Sequence, residues 1–315
     1  MKVYINRAPV TTPHGGGNKS LTLIVEKIIE AGHDLVFDLS EDIDVIFCFD
    51  PRPNNKRVWY QDFINYKSKN PRCKIIQRVG DVGTHSKPEL NNLLKQIVEI
   101  GTTDYFIFPS EWARKMINHT DQNFSVIPNR PLAKFYQNRQ EYSSLKPEEI
   151  NIVTHHWSDN DKKGFSTYQK LGEMISSGIN FKGRSLKFTY IGRYSKKYSS
   201  EGISVVPPVG EDEIASTLPR YDLYLTASEE EAGANHVLEA MACGLPIIFK
   251  TNGGSIQEYC AEFGNEYSNF EELLSLIEKT AINIEEEKAR VIKYREVAET
   301  SINEYLRIIE RFHEV

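Results

Sequence analysis

A regular alternation of short apolar runs with longer segments of helical periodicity sets the limits on the fold of this chain. The short runs are rich in β-branched and aromatic residues, which favour strands, and the alternation predicts βαβ units with parallel sheets. Strands are predicted at residues 3–5, 35–37, 45–49, 74–79, 105–108, 125–127, 150–154, 186–191, 204–206, 223–226 and 246–250. Helices are predicted at 18–31, 59–66, 88–100, 111–118, 166–176, 211–218, 236–242 and 270–279, followed by a continuous helical pattern from 284 to 315.

The alternation pauses once, in a polar segment without periodicity at residues 138–149, which we interpret as a linker. A chain of 315 residues is long enough for two domains. We therefore predict an α/β fold class with two Rossmann-like, doubly wound domains at 1–137 and 150–295, and a C-terminal helix at 296–315. Parallel sheets of this kind bind ligands at the carboxyl ends of their strands, so a site is expected in a cleft between the domains.

Composition narrows the class of partner and the compartment. The net charge is −6, and no cluster of Lys and Arg offers the basic surface that a nucleic-acid binder needs, so we expect no nucleic acid as a ligand. The N-terminus lacks the apolar core of a signal peptide, and no stretch approaches the roughly 18 apolar residues of a membrane span. Dispersed cysteines without zinc spacing favour a reducing compartment, and they are Cys48, Cys73, Cys243 and Cys260. We expect a cytoplasmic protein, at most peripheral to a membrane.

The segment 228–258 carries the strongest functional signal. It follows a predicted strand, enters a helix near Asn235 and His236, and reaches another strand after residues 244–246. Backbone N–H groups at the start of a helix attract anions, and Gly233 beside the small Ala234 lets a bulky anion approach the main chain. We predict that these four residues form a cradle for a diphosphate.

Two carboxylates flank this helix start. Glu231 lies in the loop before the helix, and Glu239 lies about one turn inside it. Carboxylate oxygens only accept hydrogen bonds, so they suit the vicinal hydroxyls of a ribose or hexose. The alternative is that both are solvated surface acids, which is the commoner role of a glutamate.

The whole segment resembles the signature of the retaining glycosyltransferases of family 4, which have the GT-B fold. The matching residues are Ser228, Glu231, Glu239-Ala-Met-Ala242 and Gly244-Leu-Pro246. The resemblance implies two Rossmann-like domains facing each other across a cleft, with the final helix packed back on the first domain. It also implies that Glu231 contacts the transferred sugar and that Glu239 binds the ribose of a nucleotide-sugar donor.

Further matches extend the resemblance over most of the chain. Residues 108–113 and 126–129 are similar to two segments late in the family's first domain. Lys163-Gly164 is similar to the family's Lys-Gly, whose lysine contacts the donor diphosphate, whereas we interpret the adjacent Lys162 as a solvated residue. Arg193, after the predicted strand 186–191, is a further donor-binding candidate.

The sequence also departs from the family pattern. Arg130-Pro131 stands where a glycine is usual, and residues 155–158 occupy the place of the arginine that normally accompanies the lysine. Residues 232–234 replace the usual Gly-Phe-Gly, and Gly253-Gly254 is one residue further from Glu258 than usual. These departures concern the phosphate contacts and the identity of the sugar.

The first domain contributes weaker candidates. Gly16 and Gly17, in a run of glycines that opens the first helix, suit donor binding, although a flexible turn explains them equally well. His85 and Asp81 follow a buried-type strand, which predicts that both lie at its carboxyl end. The resemblance implies that His85 contacts the transferred sugar, although a structural or surface role is commoner for a lone histidine, and Asp81 is the acceptor-binding candidate. Nearby basic residues could meet an anionic acceptor or a membrane surface, although a solvated loop is their commoner role, and they are Arg52, Lys56 and Arg57.

No metal or cofactor is expected. The adjacent His155 and His156 would point to opposite faces of a strand, and no third ligand stands at zinc spacing. The resemblance implies transfer from a nucleotide-diphosphate sugar to a glycan, lipid-linked or other acceptor without a bound divalent metal, with Glu231, His85 and Lys163 as the catalytic candidates. The alternatives are a nucleotide-sugar epimerase, a phosphorylase-like enzyme, or a non-catalytic protein that binds nucleotide sugars or glycans.

Overall fold

A computed structural model describes residues 1–10, 16–39, 42–85, 87–137, 148–297 and 301–312. Most of the predicted linker at 138–149, and His14 and Gly15 of the glycine run, lie outside these residues. The chain divides into two compact units, the first comprising Met1–Arg130 with Glu299–Val315 and the second comprising Pro131–Ala298.

Each unit is built from strands that alternate with helices. The strands are β1 (Lys2–Ile5), β2 (Asp34–Val36), β3 (Val45–Cys48), β4 (Lys74–Arg78), β5 (Tyr105–Phe108), β6 (Phe124–Val126), β7 (Glu149–His156), β8 (Asn180–Phe181), β9 (Arg184–Gly192), β10 (Ile203–Val206), β11 (Leu223–Thr226), β12 (Ile247–Lys250) and β13 (Gly264–Tyr267). The helices are α1 (Gly16–Glu30), α2 (Tyr60–Lys69), α3 (Pro88–Ile100), α4 (Glu111–Met116), α5 (Lys134–Gln137), α6 (Phe165–Ser176), α7 (Glu211–Thr217), α8 (Asn235–Ala242), α9 (Ser255–Cys260), α10 (Phe270–Ile282), α11 (Ile284–Ile292), α12 (Tyr294–Val297) and α13 (Ser301–Arg311), with 3₁₀ turns at Asp161–Lys163 and Leu218–Arg220.

The first unit contains a parallel sheet in the order β2-β1-β3-β4-β5-β6. Every residue of β3 and β5 is buried, as expected for strands that helices cover on both faces. The core of this unit is formed by side chains of β1, β3 and β5 with the apolar face of α1.

The second unit contains a parallel sheet in the order β10-β9-β7-β11-β12-β13, with β8 antiparallel to β9. Apolar side chains of β7, β9, β11 and β12 pack against α6 and α10 on one side and against α8 on the other. The predicted α/β class with parallel sheets is confirmed in both units.

The continuous helical pattern from 284 to 315 corresponds to more than one helix. The segment forms α11, α12 and α13, whose apolar residues belong to different cores. Val291 and Tyr294 pack in the core of the second unit, whereas Ile302 and Ile309 pack in the first unit, where α13 lies against α1. Because these two apolar faces are buried in separate cores, an unbroken helical period does not describe the segment.

None of the helices in the described ranges combines the length and the apolar character that a bilayer crossing needs. All four cysteines are buried and free. Burial raises the pKa of the Cys73 and Cys243 thiols to about 12, so both stay protonated at neutral pH.

Candidate active site

The candidate site of the second unit is built where β7, β11 and β12 end side by side. The chain leaves β7 through the 3₁₀ turn at Asp161–Lys163 and Gly164, which has a φ of 85°. A Cβ atom at residue 164 would stand 2.3 Å from the carbonyl oxygen of Ala227, just after β11. Only glycine therefore lets this turn pack against the loop that follows β11, and that contact brings Lys163 to the loop.

Backbone hydrogen bonds fix the loop at residues 229–231 from two sides. The bonds run from the N–H of Glu229 to the carbonyl of Lys162 (2.9 Å), of Glu230 to Asn252 (2.9 Å), of Glu231 to Gly253 (3.1 Å), and of Ser255 back to Glu231 (2.8 Å). Glu231 also forms an isolated parallel bridge with Gly254. The Gly-Gly segment that departs from the family spacing thus holds the backbone of the predicted catalytic glutamate.

Three consecutive glutamates in this loop each pair with a different lysine. The pairs are Glu229 with Lys250, Glu230 with Lys162, and Glu231 with Lys163. The first two pairs are partly exposed, whereas the side chains of Lys163 and Glu231 are only 11% and 12% exposed. Lys162 therefore lies nearer the solvent, as predicted, while Lys163 is held inside the site.

The Lys163–Glu231 pair is the centre of the site. Lys163 Nζ lies 2.5 Å from Glu231 Oε1, and the same oxygen accepts a hydrogen bond of 2.9 Å from Ser228 Oγ. The structure thus brings Ser228 and Glu231 of the motif together with Lys163, which a separate match had singled out. A buried ammonium beside a fixed carboxylate can exchange that partner for a more highly charged one, such as a diphosphate.

A second carboxylate is held on α8. Glu239 accepts a hydrogen bond of 2.8 Å from His155 Nε2, and both side chains are at most 10% exposed. The Tyr224 hydroxyl lies 3.0 Å from His155 Nδ1 and accepts a bond of 3.1 Å from the backbone N–H of His155. A carboxylate only accepts hydrogen bonds, so Nε2 of His155 is the donor to Glu239, and the Tyr224 hydroxyl can donate to Nδ1 or, at 3.4 Å, to the His155 carbonyl oxygen.

The start of α8 lies between these carboxylates. Asn235 is the first helical residue, and no side chain caps the first turn. Ser255 Oγ accepts the N–H of Ala234 at 3.0 Å, one residue before the helix. As in any helix, the first amides of α8 have no intrahelical acceptor, and here they follow Gly233 directly, so the diphosphate cradle stays a prediction.

His236 is fully inside the protein. Its Nε2 lies 3.0 Å from Thr226 Oγ1, and burial lowers the pKa of His236 to about 3. The imidazole is therefore neutral near pH 7 and adds no positive charge to the cradle. Any contact of residue 236 with an anion would use its backbone N–H.

His155 and His156 have different hydrogen-bond partners, but both rings lie edge-on to His236, with ring centres 6.4 and 4.7 Å away. His156 Nε2 lies 3.2 Å from Thr154 Oγ1 and 3.1 Å from the Tyr168 hydroxyl. In the part of the chain that the structure describes, no group of three or more His, Cys, Asp or Glu side chains is placed to hold a metal ion.

Arg193 follows β9 at the same sheet edge and is exposed. Its guanidinium carbon lies 4.7 Å from the ring centre of Trp157, which follows β7. Gly192 makes this turn possible because its φ is 135° and a Cβ there would stand 1.9 Å from the His156 carbonyl oxygen. The structure gives Arg193 an aromatic platform but no direct contact with Glu231 or Lys163.

The remaining candidates lie in the first unit. Gly16 and Gly17 form the first turn of α1. Asp81 accepts hydrogen bonds from Gly83 N at 2.9 Å and from Lys87 Nζ at 3.0 Å, so it shapes the turn that also contains the half-buried His85.

The basic residues of the Pro-rich loop are engaged with nearby acids. Arg52 binds Asp50 through two nitrogens, at 3.0 and 2.9 Å, and Lys56 pairs with Asp38. Arg57 is exposed and has a left-handed φ of 62°.

Several solved structures are similar to this chain over nearly its whole length. Sucrose-phosphate synthase from Thermosynechococcus elongatus is similar with a TM-score of 0.67, 14% identity, and coverage of 99% of this chain and 98% of that chain. HepE from Anabaena, in complex with UDP and glucose, is similar with a TM-score of 0.66 and 13% identity, covering 100% of this chain and 99% of that chain. WaaG, a glycosyltransferase involved in lipopolysaccharide biosynthesis, has a TM-score of 0.61 and 13% identity, and the coverage is 95% of each chain. The chain has the GT-B fold.

One family model also matches the chain. Residues 173–277 match the model described as glycosyl transferases group 1. This range includes Glu231, Glu239 and the start of α8 but ends short of Lys163. No curated protein sequence matches the chain significantly. The family match and the fold together support a glycosyltransferase.

Proposed function

We propose that the protein is a retaining glycosyltransferase of family 4 that moves a sugar from a nucleoside-diphosphate sugar to a glycan or lipid-linked acceptor. The observation that carries the proposal is the buried Lys163–Glu231 pair next to the uncapped start of α8, with Glu239 further along the same helix. Two similar structures support the choice of donor, since HepE has been crystallised with UDP and glucose and with UDP-glucose.

In this proposal the second unit binds the donor. The first-turn amides of α8 and the Lys163 ammonium neutralise the diphosphate, and Glu239, oriented by His155, accepts hydrogen bonds from the ribose hydroxyls. Lys163 exchanges the Glu231 carboxylate for the diphosphate when the donor binds. Glu231 is then available to the hydroxyls of the transferred sugar, beside the bond that breaks.

The chemical step cleaves the bond between the sugar C1 and the diphosphate oxygen, and the acceptor oxygen forms a new bond to C1 on the same face. Negative charge develops on the leaving oxygen, and a positioned ammonium stabilises it more in the transition state than in the ground state. Lys163, rather than a divalent metal, provides this stabilisation. The proton of the acceptor hydroxyl passes to the leaving diphosphate.

The donor is tested with a thermal-shift screen against UDP-, GDP-, ADP- and CMP-sugars, followed by hydrolysis of the selected donor without acceptor. A ligand that binds only the folded protein raises its apparent stability. We expect one nucleotide class to stabilise the protein and its sugar to be released slowly. Binding without any hydrolysis would indicate a non-catalytic binding protein, and conversion of the donor to an isomer would indicate an epimerase.

The chain provides a matched pair of lysine variants. Lys163→Met should lower hydrolysis by about 100-fold or more, because it removes a charge from the developing anion. Lys162→Met should stay within about threefold of the wild type, because Lys162 pairs with Glu230 in a partly exposed position. Equal activity of the two variants would contradict the role of Lys163.

A further inference from the structure

The first unit contains a cavity of about 270 Å³ at the carboxyl ends of β3 and β4. Its lining includes three cationic side chains, Arg52, Arg78 and Lys87, and two acidic ones, Asp50 and Asp81. Two of these cations form ion pairs with the two lining acids, Arg52 with Asp50 and Lys87 with Asp81. Arg78 is the third cation.

Arg78 is buried, and no carboxylate among the described residues serves as its counter-ion. The residue is 3% exposed, and among the described residues it forms no ion pair with a carboxylate. Its Nη2 donates to Asn129 Oδ1 at 3.2 Å, and its guanidinium carbon lies 4.5 Å from the Phe49 ring centre. Its buried Nε has no hydrogen-bond partner within the described part of the chain. An arginine cannot escape this cost by deprotonation, so an anion from outside the chain is the natural partner.

The backbone beside Arg78 leaves room for this arrangement. A Cβ atom on Gly80 would stand 2.4 Å from Arg78 Nη1, so any larger residue at position 80 would displace the guanidinium. Gly80 lines the same cavity. The glycine therefore lets the Arg78 guanidinium lie against the cavity wall. Its planar geometry matches two oxygens of a carboxylate or phosphate.

We propose that this cavity binds a carboxylate or phosphate group of the acceptor. The inference rests on the proposed function, which places the donor diphosphate in the second unit and leaves the first unit for the acceptor. The cavity volume lies just below the range of about 300–1,000 Å³ for pockets that hold drug-sized ligands, so it suits a single charged sugar or a small phosphorylated group. The acceptor is therefore an acidic molecule rather than a neutral glycan.

The test measures the dissociation constants of three probes with the full chain by ligand-observed NMR. The probes are p-nitrophenyl glucuronide, glucose 6-phosphate and the neutral p-nitrophenyl glucoside. We expect at least one anionic probe to bind about 10-fold or more tightly than the glucoside, and which of the two binds distinguishes a carboxylate from a phosphate. Equal binding of all three probes would overturn the inference.

Three variants connect the effect to Arg78. Arg78→Gln should weaken binding of the anionic probe about 10-fold or more and leave the glucoside unchanged, whereas Arg72→Gln, which removes an exposed arginine from the same unit, should change neither. Gly80→Ala keeps the charge but displaces the guanidinium, so it should also weaken anion binding if Arg78→Gln fails to fold. Unchanged anion binding in a folded Arg78→Gln or Gly80→Ala protein would overturn the inference.

Two controls separate this inference from the proposed function. Displacement of the anionic probe by UDP would show that the cavity binds the donor diphosphate, and it would overturn the acceptor assignment. Donor hydrolysis is measured in parallel without acceptor. Hydrolysis without preferential anion binding refutes only this inference, and anion binding without any nucleotide-sugar binding refutes the proposed function and the acceptor assignment that rests on it.

Discussion

Breaking the Lys163–Glu231 pair should affect stability and catalysis in different ways. A cycle of Lys163→Met, Glu231→Gln and the double variant compares the two effects. The pair is nearly buried, at 11% and 12% side-chain exposure, which places it between exposed pairs worth about 0–1 kcal/mol and buried pairs whose disruption costs about 3–5 kcal/mol. We expect each single variant to lower the free energy of unfolding by about 2 kcal/mol because it leaves one charge without its partner.

Thermal unfolding followed by circular dichroism measures the stability side of the cycle. A loss of about 2 kcal/mol corresponds to a fall in Tm of about 4–8 °C for a unit of this size. The free energy of unfolding of the double variant should exceed the value expected from adding the two single losses by at least about 1 kcal/mol. The reason is that the double variant leaves no charge without a partner. Glu231→Gln keeps an oxygen that can accept from Ser228 Oγ, so the loop itself should stay in place.

Transfer activity should behave differently, because the donor needs each residue separately. Each single variant should lower activity about 100-fold or more, and the double variant should recover none of it. Recovery of activity in the double variant would refute the reasoning, because it would mean that the pair serves only the fold. Near-normal activity in both single variants would refute it as well.

Three further predictions concern neighbouring residues. Glu239→Gln should raise the KM for the donor about 10-fold with a smaller effect on kcat. A large fall in kcat with little change in KM would place Glu239 at the chemical step instead. Gly254→Ala should lower the Tm by several degrees and lower activity, because Gly254 lies next to the Glu231 bridge with φ 70° and ψ −121°, a conformation that strains any residue with a Cβ atom. An unchanged Tm would contradict this expectation of strain. Since burial depresses the pKa of His236 from 6.5 to about 3, the unfolded chain binds more protons between these values, so stability should be full above pH 6.5 and fall by about 1 kcal/mol per pH unit below about pH 6. His236→Gln should flatten that part of a urea-unfolding series across pH, and an equally steep fall in the variant would assign it to other groups.

The parallel strands were the most predictable part of the fold. β5 and β11 have the predicted bounds, because each is a short apolar run between breaks in the pattern. β13 and α9 were missed, since GNEY at Gly264–Tyr267 is polar for a strand and Ser255–Cys260 is too short for a helical period. These elements form through contacts with β12 rather than through their own sequence pattern.

The site was predictable where one motif contained all of its parts. Glu231 and Glu239 were found because they flank the start of one predicted helix, and Ser228 and Lys163 followed from the resemblance. The His155–Glu239 hydrogen bond was missed because its partners come from β7 and α8, and residue 155 was interpreted as a departure from the family arginine and as a rejected metal ligand. The position of His155 at the end of a buried strand could have indicated that it belongs to the site.

The sequence also could not predict that Arg78 is buried with no carboxylate partner among the described residues. The segment 78–85 drew attention to Asp81 and His85, but an arginine at the end of a strand is ordinarily solvated or paired. Only the three-dimensional structure shows that Asp50 and Asp81 are already matched to Arg52 and Lys87.

A crystal structure of the chain with the nucleotide sugar selected by the thermal-shift screen tests the central claim most directly. We predict that the ribose hydroxyls lie about 3 Å from the Glu239 carboxylate, that the diphosphate lies at the start of α8, and that Lys163 Nζ has left Glu231 for a phosphate oxygen. A donor bound elsewhere, with the Lys163–Glu231 and His155–Glu239 contacts facing no ligand, would contradict the account.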